Sequence, residues 1–266
     1  MLIGVRLADG DLSPSQLIIL AFLYGPCLEG ASESINDFFD RKTDNLKYVR
    51  HLGVIQLSGG TGLIQRRIFS PMKVFFISVT MYTIALLASL AFESILFTAL
   101  VFAYILLGVL YSAPPVRLKE MGFGGPFSVG IAFGGLALWG GYAAAANSLP
   151  PQTILCSVPL VLIITGAFMT HQIADFQADQ KAGVKTFCVR HGPRNTTLFS
   201  GSLIAAGFFL LAIQPPGIPI SYLWAGFVAA LALIVVVGLT KQHMSQLTRT
   251  AAIGLQMLVS IVYIVG

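Results

Sequence analysis

Charge is scarce in this chain. Only 16 Lys and Arg and 11 Asp and Glu occur among 266 residues, so charged residues make up 10% of the whole. Soluble domains carry about 25%, which excludes an ordinary water-facing globule. Cysteine is sparse too: Cys27, Cys156 and Cys188 have no paired spacing, excluding a disulfide framework or a cysteine metal site. No cleavable signal peptide is evident, because residues 1–8 are a short apolar run without a small-residue cleavage pattern. No stretch alternates apolar and polar residues as barrel strands do. The histidines bring little: His51, His191 and His243 lie between apolar segments without ligand spacing and read as solvated.

What is present is apolar. Hydrophobic residues make up 56% of the chain and the mean hydropathy is +0.82, values of an integral membrane protein embedded in a lipid bilayer. Eight candidate spans follow one another at about 14–38, 74–92, 95–113, 124–146, 152–172, 196–214, 219–240 and 250–266. Most have the roughly 17–25 residues that cross a hydrocarbon core as a helix. Helices satisfy their own backbone groups where no water can, so an all-α membrane protein is expected. Residues 1–8 read as the tail of a further helix whose beginning is absent.

The few charges are not evenly spread. The segments 39–73, 114–123, 173–195 and 241–249 together hold 15 of the 16 Lys and Arg, leaving only Arg6 on the other side. The positive-inside rule puts these four segments in the cytoplasm. The net charge of +5 therefore reports topology, and no nucleic-acid partner is expected.

Five of the eleven acids fall in two short motifs. Ile35-Asn36-Asp37-Phe38-Phe39-Asp40-Arg41-Lys42-Thr43-Asp44 closes the first span. On a helix Asp37, Asp40 and Asp44 stand at i, i+3 and i+7 and share a face. Glu33 and Glu29 extend it backwards, and the five acids lie within an arc of about 80°. Four spans later come Asp175 and Asp179 at i and i+4, with His171 one turn earlier. Ile173-Ala174-Asp175-Phe176 resembles Ile35-Asn36-Asp37-Phe38, which suggests a pseudo-repeat of two four-helix halves.

Unpaired carboxylates at a membrane boundary cost about a few kcal/mol each and repel one another. A hard divalent cation between them removes both penalties. All the candidate ligands are oxygens, which suits Mg²⁺, an ion that combines one or two carboxylates with water and substrate phosphates. Arg41, Arg117 and Lys119 beside the motifs then suit phosphate oxygens. Simple ion pairing of the aspartates with these cations is the alternative.

These residues carry a resemblance. Asn36-Asp37-x-x-Asp40-x-x-x-Asp44 resembles the first signature of the UbiA superfamily of intramembrane prenyltransferases, and Asp175-x-x-x-Asp179, continuing to Gly183, is similar to the second. Tyr111-Ser-Ala-Pro-Pro-Val-Arg117-Leu-Lys119 resembles the inner-loop motif between them. The resemblance implies a bundle of eight to nine transmembrane helices around a central cavity, as a single domain over residues 1–266 with its first helix truncated. It implies two Mg²⁺ ions bridging carboxylates and an isoprenyl diphosphate, with Asp37, Asp40, Asp44, Asp175 and Asp179 as metal ligands and Asn36 beside them. Arg41, Lys119 and Tyr111 carry over as diphosphate contacts, and Arg117 and Lys181 join them as neighbouring polar groups. The chain departs from the pattern at Glu33 and His171, where neutral polar residues are expected. The run from Leu57 to Pro71 reads like the glycine-bearing loop of naphthoate-type members, whereas Tyr-Ser-x-Pro-Pro is closer to chlorophyll synthases.

The implied reaction is loss of diphosphate from an allylic carbon, followed by attack of a hydrophobic acceptor. An aromatic acceptor, such as a quinone precursor, is expected first; a chlorophyll-type or glycerol-phosphate acceptor is the alternative. Tyr104, Tyr111, Trp139, Tyr142 and Phe168 are candidates for stabilising the allylic cation through their ring faces. Glu33, Glu29, His171 and Asp44 are candidate bases. A CDP-alcohol phosphotransferase also clusters aspartates on helices, but needs an Asp-Gly-x-x-Ala-Arg run where this chain has Asp40-Arg41-Lys42-Thr43. A cation transporter would hold its acids near the bilayer midplane and not at helix ends. The glycines at 122, 124, 125, 130, 134, 135, 140 and 141 suit close helix packing, or else a smooth wall for an isoprenyl chain.

The charge asymmetry makes a direct prediction. Single cysteines placed in 39–73, 114–123, 173–195 and 241–249 are labelled by a membrane-impermeant maleimide from the cytoplasmic side only. Labelling of positions 45–65 from outside overturns the assignment.

Overall fold

The computed structural model describes residues 1–10, 12–48 and 61–213. The expected spans 219–240 and 250–266, the segment 241–249, His51, His243 and residues 57–60 of the glycine-bearing loop lie outside the described residues. Most of those that are described are helical. The helices are α1 (Leu2–Leu7), α2 (Pro14–Phe22), α3 (Gly30–Tyr48), α4 (Pro71–Ser89) and α5 (Ile95–Ser112). They continue as α6 (Gly124–Gly130), α7 (Ala137–Ala146), α8 (Pro151–Ala182), α9 (Phe187–His191) and α10 (Pro193–Ile213). Among the described residues four helical stretches are long and apolar enough to cross a membrane: Pro71–Phe92, Ile95–Ser112, Gly124–Ala146 and Pro151–Ile173.

The starts and stops follow local chemistry. Ser13 caps α2 in a reciprocal box, its Oγ accepting from Gln16 N while Gln16 Oε1 accepts from Ser13 N at 2.9 Å. Ser70, Ser94 and Thr186 cap α4, α5 and α9 with their hydroxyl oxygens. Pro14, Pro71, Pro151 and Pro193 occupy first helical positions, where a missing N–H costs nothing. Gly183, at φ +73°, ends α8, and Val184 N donates back to Asp179 O at 3.0 Å.

Two stretches are wound as π-helix, Leu23–Glu29 between α2 and α3 and Ile131–Leu136 between α6 and α7. The first contains Pro26, which cannot donate a backbone hydrogen bond. Helix therefore runs unbroken from residue 14 to 48.

Here the structure differs from the expected boundaries. The span 14–38 continues as helix to Tyr48, and 152–172 continues to Ala182. Segments 39–73 and 173–195 thus begin as helix. The apolar run ends where lipid ends, but helix continues while no residue forbids it, and the lysines and arginines beyond both spans are good helix formers. Asp37 and Asp40 consequently lie inside α3, whereas Asp175 and Asp179 lie in the last two turns of α8.

The chain divides into two compact units, Met1–Leu118 with Leu136–Leu149, and Lys119–Gly135 with Pro150–Gly266. In the first, α3 is held against α4 and α5. Ser78 on α4 donates to Ala31 O at 2.8 Å, and Ser32 Oγ and Tyr82 Oη are hydrogen-bonded at 3.0 Å. The α4–α5 turn passes through Glu93 at φ +52°, and Ser94 Oγ donates to Asn147 Oδ1 at 2.7 Å beyond α7.

In the second unit α8 packs on α6 and α10 through small residues. A Cβ on Gly134 would lie 2.6 Å from Val161 N, one on Gly166 2.6 Å from Ser200 O, and one on Gly207 2.7 Å from Pro159 O. The helices touch backbone to backbone at these points, as small residues permit. The glycines at 130 and 134 are thus packing residues: α8 fills the space that a lumen would need.

Gly134→Val should accordingly destabilise the protein by about 1–3 kcal/mol, because the contact it meets is backbone and cannot rotate away. Thermal unfolding of the purified chain in detergent reads this directly. An unchanged midpoint would show that the Ile131–Leu136 stretch and α8 separate freely.

Candidate active site

The first acidic motif lies on α3. Asp37 is fully buried and Asp40 is 8% exposed, one turn apart on the same face. Asn36 and Glu29 are half-buried, while Glu33 is exposed. Asp44 also lies on α3, but its side chain is outside the described residues.

Different partners meet the two buried carboxylates. Asp37 receives neutral donors: Thr61 N lies 3.0 Å from each of its oxygens, and Thr61 Oγ1 donates to Oδ2. Asp40 receives a cation, with Arg117 Nη2 3.2 Å from its Oδ1. Arg117 reaches it from the end of the Tyr111–Lys119 motif. The chain there turns through the cis Pro114–Pro115 bond, and Arg117 adopts φ +44° while its N–H donates to Ala113 O. Arg41 turns back on its own helix, donating to Phe38 O with its guanidinium 4.7 Å from the Phe38 ring centre. Tyr111 is half-buried in the last turn of α5.

Just before α3, in the π-helical stretch Leu23–Glu29, a second set of polar groups is joined. Tyr104 Oη on α5 donates to Glu29 Oε2 at 3.3 Å, and the Tyr104 and Tyr24 rings meet edge to face at 6.1 Å. Gly108 allows this approach, since a Cβ there would lie 2.7 Å from Tyr82 Oη and 2.8 Å from Ser32 Oγ.

The remaining expected residues belong to the second unit. Asp175 is half-buried and Asp179 is 3% exposed, both on α8 beyond its apolar run. His171 is half-buried, its ring 5.4 Å from that of Phe168. Lys119 is buried in the short helical turn Leu118–Glu120, and Lys181 is exposed. Behind Asp179 the α8–α9 connection is tied down: Cys188 N donates to Gln172 Oε1 at 3.3 Å, and Arg190 Nη2 donates to Glu120 O at 2.8 Å. Burial pushes the Cys188 thiol up to about 11, the Asp179 charge adding to the effect and a hydrogen bond with Thr196 opposing it.

Within the first unit the structure therefore brings together Asp37, Asp40 and Arg117, and within the second it places Asp175 and Asp179 a turn apart. Among the described residues no three His, Cys, Asp or Glu side chains converge into a metal cage. A pair of carboxylates still fits Mg²⁺, which completes its shell with water and phosphate oxygens. Asp37 and Asp40 fit this requirement: both are withdrawn from water and both offer carboxylate oxygens on one turn of α3. A groove of about 500 Å³ lies elsewhere, beside the α4–α5 turn, lined by Leu86, Leu90, Ile95 and Phe102. It is apolar and stands at the far ends of α4 and α5 from Asp40, so it carries none of this chemistry.

Thr61 was not among the residues expected at the site. Its only sequence signal is the run Gly59-Gly60-Thr61-Gly62, which reads as a turn and names no partner 24 residues away.

Known proteins resemble this chain in sequence and in fold. The chain is 25% identical over 235 residues to 1,4-dihydroxy-2-naphthoate octaprenyltransferase of Bacillus subtilis, covering 86% of this chain and 73% of that enzyme. It is 25% identical over 191 residues to the chloroplastic chlorophyll synthase of Avena sativa, covering 66% of this chain and 45% of that enzyme. The chain thus spans less than half the length of that plant relative. Its fold matches the structure of a UbiA homologue from Archaeoglobus fulgidus bound to DMAPP and Mg²⁺, with a TM-score of 0.68 at 15% identity, over 100% of this chain and 95% of the other. The family description "UbiA prenyltransferase family" matches residues 1–257. With four apolar helices among the described residues and a family match over nearly its whole length, the chain belongs to the UbiA prenyltransferase family and is an integral membrane enzyme of that type.

Proposed function

We propose that the chain transfers an isoprenyl group from a prenyl diphosphate to an aromatic acceptor, such as a quinone precursor, inside the membrane and releases diphosphate. The observation that carries this reading is the buried Asp37–Asp40 pair on one turn of α3, with the Arg117 guanidinium at Asp40. The naphthoate-directed name of the Bacillus relative supports an aromatic acceptor. The Tyr-Ser-x-Pro-Pro loop and the similarity to a chlorophyll synthase support a chlorophyll-type acceptor equally well. A glycerol-phosphate lipid is the remaining acceptor class.

Asp37, Asp40 and Asp44 would hold one Mg²⁺, and Asp175 and Asp179 a second. Bound there, Mg²⁺ would neutralise charge on the departing diphosphate. Arg117 and Lys119 supply donors to the phosphate oxygens, joined by Asn36, Tyr111, Lys181 and Arg41 once its guanidinium leaves the Phe38 carbonyl. Arg117 already faces Asp40, so its charge is placed before substrate arrives and needs no reorganisation. Loss of diphosphate leaves an allylic cation, which aromatic faces such as Tyr104 stabilise. The acceptor's ring carbon forms the new carbon–carbon bond, and its displaced proton passes to a base. In this reading residues 1–266 form one domain of eight to nine spans with pseudo-repeated halves, and both acidic motifs face the cytoplasm.

Product analysis with several prenyl diphosphates and a panel of aromatic, chlorophyll-type and glycerol-phosphate acceptors tests the reading. Asp37→Ala, Asp40→Ala and Asp175→Ala should each lower turnover by about a hundredfold or more while the protein stays folded in detergent. Near-normal turnover of any one at saturating Mg²⁺ overturns the metal assignment. Metal flux in liposomes without diphosphate release would point to a transporter instead.

Glu33 and His171 each precede the first aspartate of a motif by four residues. We assign them to the acceptor, as its hydrogen-bond partners or its base. Glu33→Gln and His171→Asn are therefore expected to bind a non-hydrolysable prenyl diphosphate normally but lose acceptor-dependent turnover. Loss of both properties together would place them with the diphosphate.

A further inference from the structure

We propose that Thr61 is a positioning residue that holds Asp37 in the orientation a divalent cation requires. The inference rests on the reading of Asp37 as a metal ligand and adds a residue to that site. A carboxylate rotates easily about its terminal torsion, so a ligating aspartate needs a partner that fixes its plane. Thr61 does so with two donors from one residue. Its N–H bridges both Asp37 oxygens at 3.0 Å each, and its hydroxyl donates to Oδ2. Leu63 N in turn donates to Thr61 Oγ1 at 3.3 Å, occupying a lone pair and leaving the hydroxyl proton for Asp37.

The backbone is built for this placement. Gly62, at φ +69° and buried, separates the two N–H groups in a conformation that other residues rarely adopt. The following turn closes on itself, with Arg66 N donating to Gly62 O and Ile68 N to Leu63 O, both at 3.0 Å. It then runs into Ser70, the cap of α4. The donor pair is thus anchored to a helix that packs directly on α3, and is not borne on a free strand of loop.

Neutral donors are what this position needs. Asp40 is matched by the Arg117 guanidinium, which offsets its charge. Thr61 orients Asp37 without adding a positive charge, leaving the full carboxylate charge to attract a cation. A carboxylate offers about four acceptor sites, so Thr61 does not exhaust them. Hydrogen-bonded partners of metal-ligating carboxylates contribute about 10–100-fold to metal affinity.

Mn²⁺ binding to the full chain in detergent, read by electron paramagnetic resonance with and without inorganic diphosphate, tests this apart from turnover. Thr61→Val keeps shape and N–H but removes the hydroxyl, and should weaken Mn²⁺ binding about tenfold or more. Thr61→Ser should restore the parent affinity. Thr61→Ala supplies the same comparison should the valine variant not fold. Unchanged affinity in the variant lacking the hydroxyl overturns the proposal. So does tighter binding, which would make Thr61 a competitor of the cation. Asp37→Asn in the same titration separates the two readings. If it binds Mn²⁺ like the parent, the assignment of Asp37 itself has failed; if it loses Mn²⁺ while Thr61→Val does not, Thr61 alone was misassigned.

Discussion

Two carboxylates on one helical turn, both withdrawn from water, set the terms for the rest of this protein. Removing a carboxylate from water costs several kcal/mol unless charge or hydrogen bonds replace its hydration. Asp37 and Asp40 meet that demand differently, one with neutral donors from Thr61 and the other with the Arg117 guanidinium. Arg41, one residue beyond Asp40, turns back on its own helix and lies on Phe38.

Holding such a site requires a helix that cannot shift, and the packing around α3 supplies this with few large side chains. Ser78 ties α4 to Ala31 O, and Ser32 with Tyr82 ties it again one residue on. Gly108 brings α5 close enough for Tyr104 to reach Glu29. Hydroxyl bonds between helices are useful here because lipid offers no competing water, although each contributes only modestly.

Much of this was legible in the sequence because the chain has so little charge. Among the described residues hydropathy gave the long helices in their order, and the i, i+3 spacing of Asp37 and Asp40 put both on one face once residues 30–48 were helical. What it could not give were the ends. Apolar composition reports lipid contact, whereas helix termination depends on local breakers, and α8 runs on to Gly183. The π-helical stretch at Ile131–Leu136 has no marker in composition. Thr61 was hidden for a different reason. It is neutral and contacts a residue 24 positions away, so neither charge pattern nor helical period points to it.

The glycines show how structure decides between two readings of one composition. A glycine-rich helix suits either tight packing or a wide chamber, and the two are opposites in space. At Gly134 the space beside the missing side chain is already filled by the backbone of α8. At Gly108 it is filled by the hydroxyls of Tyr82 and Ser32. Neither glycine therefore contributes volume for an isoprenyl chain.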